Sequence, residues 1–213
     1  MRKKKETIVV LSAHSDDYVL GAGGMIAKYT QQGKNVLAVV FSYGEKSHPW
    51  LKPKVVQNMR WQEARAASKL LGSQVIFFDL HEFHFSEEYP RRAKELNALL
   101  EKHAPTKIFT HSSEDPHPDH KAVHAISREI MPRLSFKPEL YVYSIWNPVS
   151  LRTAFPALYV DTTTTFSLKL QALRAFRSQQ IHIAYPFFLL LFRTVIDGLH
   201  LKKWSAEKFF RIA

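Results

Sequence analysis

Short apolar runs alternate with longer amphipathic segments through the first two-thirds of the chain. Five apolar runs have the length and composition of buried strands, and they cover residues 7–11, 35–41, 74–78, 107–110 and 139–144. Four segments with helical spacing lie between them, at residues 20–32, 55–71, 91–103 and 119–131. This rhythm predicts βαβ units, and therefore an α/β fold with a Rossmann-like, mostly parallel sheet and helices on both faces.

The last third of the chain has a different pattern. Residues 158–160 predict a short strand, and residues 165–178 predict a helix that opens in a run of threonines. Residues 187–192 are all aromatic or aliphatic. Two interpretations of that stretch stay open: a core or homo-oligomer interface helix, or a surface for peripheral contact with a lipid-linked substrate or a membrane.

No internal repeat or low-complexity linker divides the chain. We therefore expect a single domain over residues 1–213, with a core at about 6–145 and a C-terminal strand and helix extension at about 146–213. The 213 residues are 46% apolar, which is enough for one sizeable core.

Composition and charge exclude several classes of protein. The chain has no cysteine, which excludes disulfides, thiolate metal sites and cysteine nucleophiles, so any metal must be bound by His, Asp or Glu. A net charge of +11 would attract nucleic acid or anionic lipid. We expect no nucleic-acid partner, because the chain has no zinc finger, no RNP-like aromatic motif and no dense arginine stripe. The apolar run after the basic residues 2–5 is too short for a signal peptide, and we predict a cytoplasmic protein without a transmembrane segment.

Two loops combine histidines with carboxylates directly after predicted strands. The first contains His14, Asp16 and Asp17, and the second contains His117, Asp119 and His120. Ligands of parallel sheets bind beyond the carboxyl ends of the strands, so we expect both loops to line one pocket. Adjacent carboxylates repel each other unless a cation or hydrogen-bond donors compensate. Each loop on its own would also fit a simpler role, the capping of the helix that follows it.

Two histidines and one carboxylate, with an open position for water, form a common catalytic zinc site. The remaining groups would then act as a general base and as a stabiliser of the tetrahedral intermediate. The residues alone leave open which carboxylate and which histidine bind the metal. Such ligands discriminate weakly between divalent ions, so we expect Zn²⁺ but another divalent metal would also fit.

Five motifs along the chain carry a family resemblance. Residues 13–24 read AHSDDYVLGAGG and residues 117–120 read HPDH, while weaker matches read RWQEARAA at 60–67, KLQALRAFRSQ at 169–179 and AEKF at 206–209. Together they resemble the zinc-dependent N-acetylglucosaminyl deacetylases of the LmbE-like, or PIG-L-like, family. The resemblance extends over nearly the whole chain, and its paired His/Asp motifs are specific.

The resemblance implies a role for each motif residue. His14, Asp17 and His120 would bind zinc, Asp16 would be the general base, and His117, oriented by Asp119, would stabilise the oxyanion and protonate the leaving amine. Arg60 would contact sugar hydroxyls. Tyr18 stands where the family has a glutamate, so we expect it beside the substrate. An acid expected after the third strand has two candidates, Asp79 and Glu82.

The resemblance implies removal of an N-acetyl group from an N-acetylglucosamine-type sugar or conjugate, by water that the metal activates. The small-molecule partner would then be that sugar or conjugate. An alternative stays open: a catalytically weak, metal-containing protein of the same fold that binds carbohydrate or lipid. Tyr18 and the apolar residues 187–192 motivate this alternative.

Overall fold

Seven strands and six α-helices occur in the described part of the chain, which covers residues 5–48, 50–147, 150, 154–179 and 187–213 of a computed structural model. The strands are β1 (Thr7–Ser12), β2 (Asn35–Val40), β3 (Gln74–Phe77), β4 (Lys107–His111), β5 (Glu139–Tyr143), β6 (Ala157–Asp161) and β7 (Ala206–Arg211). The helices are α1 (Asp17–Gln31), α2 (Pro53–Leu71), α3 (Phe85–His103), α4 (Pro118–Ile130), α5 (Phe166–Arg174) and α6 (Phe187–His200). Short 3₁₀ turns lie at Glu45–Ser47, Met131–Arg133 and Arg177–Gln179.

One seven-stranded sheet forms the centre of the fold, in the order β3-β2-β1-β4-β5-β7-β6. Strands β1 to β5 are parallel, and β7 pairs antiparallel with both β5 and β6. The predicted Rossmann-like, mostly parallel sheet is thus confirmed. Strand order reverses between β1 and β4, and the crevice at such a point is where sheets of this kind bind ligands.

Helices cover both faces of the sheet, as predicted. Ile8 and Val10 of β1 belong to a buried cluster with residues of α1, α2 and α5, whereas Val9 and Leu11 belong to a second cluster with residues of α3 and α4. Successive side chains of a strand point to opposite faces, so a strand covered on both faces must be apolar throughout. This requirement explains the unbroken apolar run at the start of the chain.

Close packing of α1 against its neighbours depends on glycine. A Cβ atom at Gly21 would lie 2.3 Å from the ring of Tyr143, and one at Gly24 would lie 2.7 Å from Cγ2 of Thr162. Side chains do not approach this closely, so alanine at either position would displace α1 or its neighbour. Because α1 begins at Asp17, its position also sets that of the first loop.

Three elements differ from the sequence prediction. Helix α3 begins at Phe85, six residues earlier than predicted, because buried Phe85 and Tyr89 anchor its first turns although Pro90 lies within it. Helix α5 ends at Arg174, and the last part of the predicted 165–178 helix forms a 3₁₀ turn instead. Strand β7 was not predicted, because buried Glu207 interrupts its apolar pattern.

Candidate metal centre

The loops that follow β1 and β4 meet at the carboxyl end of the sheet. The two strands are direct neighbours, and a cavity of about 160 Å³ lies where the loops converge. Its lining comprises His14, Asp16, Asp17, Leu20, Gly44, Ser47, Glu82, His117, His120, Trp146 and Gln179. Five of the six site residues predicted in the two loops therefore border one cavity, and Asp119 contacts one of them.

Asp17 lies at the centre of the candidate metal ligands. Its Oδ2 atom is 3.2 Å from Nε2 of His120 and 3.3 Å from Nδ1 of His14, and it accepts a hydrogen bond from the His14 backbone N–H at 2.8 Å. Each of these three residues offers a ligand atom, and the three atoms lie within 4.8 Å of one another. The set combines two imidazoles with one carboxylate, the donor chemistry of a catalytic zinc site.

The surroundings of these ligands favour a bound cation. Nε2 of His120 is buried and makes no aligned hydrogen bond within the described part of the chain, although Oδ2 of Asp17 lies 3.2 Å away. Burial alone would lower the pKa of His14, but Asp119 and Asp17 raise it well above its usual range. Burial would likewise lower the pKa of His120, yet Asp17 and Asp115 raise it to about 9. Both imidazoles sit in a negative field that stabilises positive charge, so the residues present fit a divalent metal ion.

Asp16 borders the cavity without joining this ligand set. It occupies the position that precedes α1, but its side chain makes no capping hydrogen bond. Burial and the adjacent Asp17 carboxylate raise the pKa of Asp16 to about 6. The helix-capping interpretation therefore does not account for either carboxylate of the first loop, because Asp17 accepts its hydrogen bond from His14.

His117 is half-buried at the start of α4 and borders the cavity. Its Nδ1 accepts a hydrogen bond from the backbone N–H of Asp119 at 3.2 Å, so the neutral ring carries its proton on Nε2. The Asp119 carboxylate is engaged elsewhere, at 3.1 Å from Nε2 of His14 and accepting from the Phe83 N–H at 2.9 Å. Asp119 thus orients His117 through its backbone, while its carboxylate supports His14.

Two residues behind His120 were missed by the sequence reasoning. Asp115 Oδ1 lies 2.9 Å from Nδ1 of His120, and Oδ2 accepts from the backbone N–H of Trp146 at 3.0 Å. His111 stacks on His120 with ring centroids 3.9 Å apart, and its Nε2 accepts from the Ala13 N–H at 2.9 Å. Both are fully buried. The sequence could have indicated His111, because this residue follows directly after the predicted fourth strand and ligands bind at strand ends.

A carboxylate that hydrogen-bonds the far nitrogen of a ligating histidine fixes its orientation and raises its basicity. We therefore expect Asp115→Asn to weaken metal affinity by about 10–100-fold. Competition with a chromophoric chelator would measure the Kd, and exposed Asp79→Asn is the matched control. An unchanged Kd in a folded Asp115→Asn variant would show that other contacts hold His120.

Arg60 does not border the cavity and is fully buried. Its guanidinium donates to Oγ of Ser47 at 2.7 Å and to Oγ of Ser178 at 2.8 Å, and Glu63 accepts from Ser178 in turn. We therefore reassign Arg60 from a sugar contact to a residue that joins two segments of the cavity rim. The planar guanidinium group suits this role, because its N–H groups bind two acceptors in fixed directions.

Tyr18 also has a different place from the one expected. It is fully buried, and its hydroxyl donates to the backbone oxygen of Ala64 and lies 2.9 Å from Oγ of Ser68, both on α2. A side chain with those contacts packs α1 against α2, so we reassign Tyr18 from the substrate to the core.

Of the two acids considered after the third strand, Glu82 is the one that borders the cavity. Its Oε1 lies 3.5 Å from Nε2 of His14, and its Oε2 accepts from the Lys46 N–H at 2.7 Å. Burial raises the pKa of Glu82. Asp79, the other candidate, is exposed and does not border the cavity.

Comparison with known families matches residues 9–131, more than half of the chain, to the PIG-L family, described as GlcNAc-PI de-N-acetylase. The chain belongs to the PIG-L family. The match begins within β1, extends through α4, and so includes both loops of the candidate metal centre. The expected LmbE-like, or PIG-L-like, membership is therefore confirmed.

Relatives of this PIG-L family chain have more than one activity. It is 28% identical over 204 residues to 4-oxalmesaconate hydratase of Pseudomonas putida, covering 84% of this chain and 76% of the relative. It is 26% identical over 186 residues to a probable N-acetyl-alpha-D-glucosaminyl L-malate deacetylase of Bacillus cereus, covering 81% and 83%.

Two solved structures share the fold. The 4-carboxy-2-hydroxymuconate hydratase of P. putida superimposes with a TM-score of 0.82 at 22% identity, covering 98% of this chain and 96% of that one. The N,N'-diacetylchitobiose deacetylase of Pyrococcus horikoshii gives 0.80 at 23% identity, covering 98% and 84%. Both confirm the α/β architecture of the PIG-L family chain.

Proposed function

We propose that this protein is a zinc-dependent hydrolase that removes the N-acetyl group from an N-acetylglucosamine-type sugar or sugar conjugate. One observation carries the proposal. The candidate ligand set of His14, Asp17 and His120 borders the same cavity as a carboxylate outside the set, Asp16, and as His117, whose Nε2 carries the ring proton because its Nδ1 accepts from the Asp119 N–H. Metal-assisted amide hydrolysis uses this combination: a metal that activates water, a base that takes the proton of the water, and a donor that stabilises the oxyanion.

A bound divalent metal would supply Lewis acidity and lower the pKa of water. The Asp16 carboxylate accepts the proton that water loses as its oxygen bonds to the acetyl carbon. His117 donates from Nε2 to the oxyanion that forms, because its Nδ1 is already occupied by the Asp119 N–H. When the carbon–nitrogen bond breaks, acetate leaves and the amine nitrogen takes up the proton that Asp16 accepted from water. Asp115 and Asp119 hold His120 and His14 in place during these steps.

Deacetylases among the relatives support this choice of substrate. The B. cereus relative is named a deacetylase of an N-acetylglucosaminyl conjugate, and the P. horikoshii structure is a deacetylase of diacetylchitobiose. The cavity of about 160 Å³ would admit an acetamido group with part of a sugar ring, while the rest of a conjugate would extend beyond it.

Acetate release across a panel of N-acetyl sugars, with metal analysis of the same sample, tests the proposal. We expect at least one member to release stoichiometric acetate and free amine. Removal of the metal with a chelator should abolish turnover, and added Zn²⁺ should restore it. A fully metallated protein that releases no acetate from any N-acetylglucosaminide would contradict the deacetylase proposal and favour the binding-protein alternative.

A hydratase is the second candidate, because a hydratase of P. putida is 28% identical to this chain. Water would then add across a carbon–carbon double bond: its oxygen bonds to one carbon while Asp16 accepts its proton, and that proton is returned to the other carbon. The substrate named for that relative, 4-oxalmesaconate, discriminates the two activities. Loss of the alkene absorbance without acetate release from the sugar panel would assign the hydratase activity.

A further inference from the structure

Helix α6 buries a narrow face that contains little apolar volume. Its buried residues are Leu190, Thr194 and Gly198, spaced four residues apart. A Cβ atom at Gly198 would lie 2.6 Å from the backbone oxygen of Lys203, so the helix packs against the following turn through bare backbone. Only Leu190 of these three is a large hydrophobic residue, and Phe187, which is half-buried, also packs against the core cluster.

The remaining surface of α6 carries six large apolar side chains that are exposed to solvent in part or for the most part. Phe188 is 74% exposed, Phe192 60% and Leu199 63%, and Leu191, Val195 and Ile196 are each 40% exposed. Positions 188, 192, 195 and 199 recur at helical spacing and form one stripe along the helix. An ordinary surface helix directs its apolar stripe inward, so the amphipathic pattern of α6 is reversed. We call these six side chains the apolar stripe.

Positive and aromatic side chains continue the surface beyond the end of α6. Lys202, Lys203 and Trp204 follow in exposed positions. The single acid between residues 187 and 204 is Asp197, whose Oδ1 lies 3.5 Å from Nζ of Lys208. The surface is therefore apolar along its length, basic at one end, and free of uncompensated negative charge.

We propose that α6 is a docking surface for an anionic lipid bilayer. Phenylalanine and leucine on one face, with lysine and tryptophan at the margin, match the boundary between acyl chains and acidic headgroups. Among the described helices, none is long and apolar enough to cross a bilayer, so α6 would lie in the plane of the membrane. A second copy of the chain is less well matched, because two chains of net charge +11 repel each other.

Docking through α6 would bring the membrane close to the metal centre. The Arg193 guanidinium of α6 donates to the backbone oxygens of Ser144, at 2.9 Å, and Ile145, at 3.1 Å. The next residue, Trp146, borders the metal cavity. The helix and the cavity rim are thus directly connected. The proposal concerns only the docking, and it stands whether the site is a deacetylase or a hydratase.

Co-sedimentation of the full chain with phosphatidylcholine vesicles, with and without phosphatidylglycerol, tests the docking. We expect binding to the anionic vesicles, weaker binding to the neutral ones, and a decrease with salt. Phe188→Ser with Phe192→Ser should weaken partition by about tenfold or more, since two exposed aromatic rings no longer enter the bilayer. Lys202→Glu with Lys203→Glu should remove most of the preference for anionic lipid.

Matched control variants distinguish docking through α6 from non-specific adsorption to vesicles. Val55→Ser with Leu70→Ser removes two exposed apolar side chains of α2, and Lys52→Glu with Lys54→Glu reverses two exposed charges at its start. Both controls should bind vesicles like the parent chain, and circular dichroism should show every variant folded. The proposal is overturned if the parent chain does not sediment with anionic vesicles, or if the phenylalanine pair is without effect. Sedimentation velocity that shows a dimer dissociated by the same pair, without vesicle binding, would also overturn it and assign the stripe to self-association.

Discussion

Replacing Asp16 by asparagine is expected to reduce kcat by about 10²–10⁴-fold while the metal stays bound. Asparagine retains the size of the side chain but cannot accept a proton from water. The substitution should leave α1 intact, because the Asp16 side chain makes no capping hydrogen bond. Turnover of the best substrate from the acetylated panel, with metal content measured on the same sample, checks the expectation.

The same substitution at the neighbouring Asp17 should change a second quantity, the metal content. Asp17→Asn should lower metal content as well as turnover, because Oδ2 of Asp17 lies within 3.3 Å of both candidate histidine ligands. The two substitutions would thus lower turnover for different reasons, one with the metal retained and the other with the metal lost. If Asp16→Asn loses its metal, or if it keeps near-parental turnover with metal in excess, Asp16 is not the base.

Breaking the buried ion pair between α5 and β7 should have the largest effect on stability. Nζ of Lys169 lies 2.6 Å from Oε1 of Glu207, and both side chains are buried. The Glu207 carboxylate also accepts from the backbone N–H groups of Gly24 and Met25, at 2.9 and 2.7 Å. We expect Glu207→Gln to lower the free energy of unfolding by about 3–5 kcal/mol, because the lysine is left as an uncompensated buried charge.

Urea unfolding followed by circular dichroism would measure the change. Glu139→Gln is the control, because Glu139 pairs with Lys107 in a more exposed position and its loss should cost less than about 1 kcal/mol. Adding Lys169→Met to Glu207→Gln should recover part of the loss, since no unpaired charge remains. A Glu207→Gln variant as stable as the Glu139→Gln variant would show that the buried pair contributes little.

Much of the fold follows from local pattern. The run from Ile8 to Leu11 is apolar at every position, and only a strand buried on both faces requires this. The same pattern locates the two loops, because each one begins where a predicted strand ends. His14, Asp17 and His120 could therefore be placed together before the structure was known, since parallel strands present their carboxyl ends at one edge.

The residues that position the candidate ligands could not be predicted in the same way. His111 acts through the backbone of Ala13, and Asp115 acts through His120 and the N–H of Trp146, so their roles depend on partners brought together only by folding. Tyr18 lies next to a candidate ligand in sequence, yet helical geometry directs its ring towards α2. Adjacency to a functional residue is thus a poor guide to function where a helix begins.

The contacts of Glu207 have a consequence for exchanging parts between members of this family. Helix α1 carries Asp17 at one end, and a carboxylate from β7 and a lysine from α5 meet at its middle. The C-terminal third therefore cannot be treated as an interchangeable module. In a chimera, Gly24, Lys169 and Glu207 would have to come from the same parent, even though none of the three borders the metal cavity.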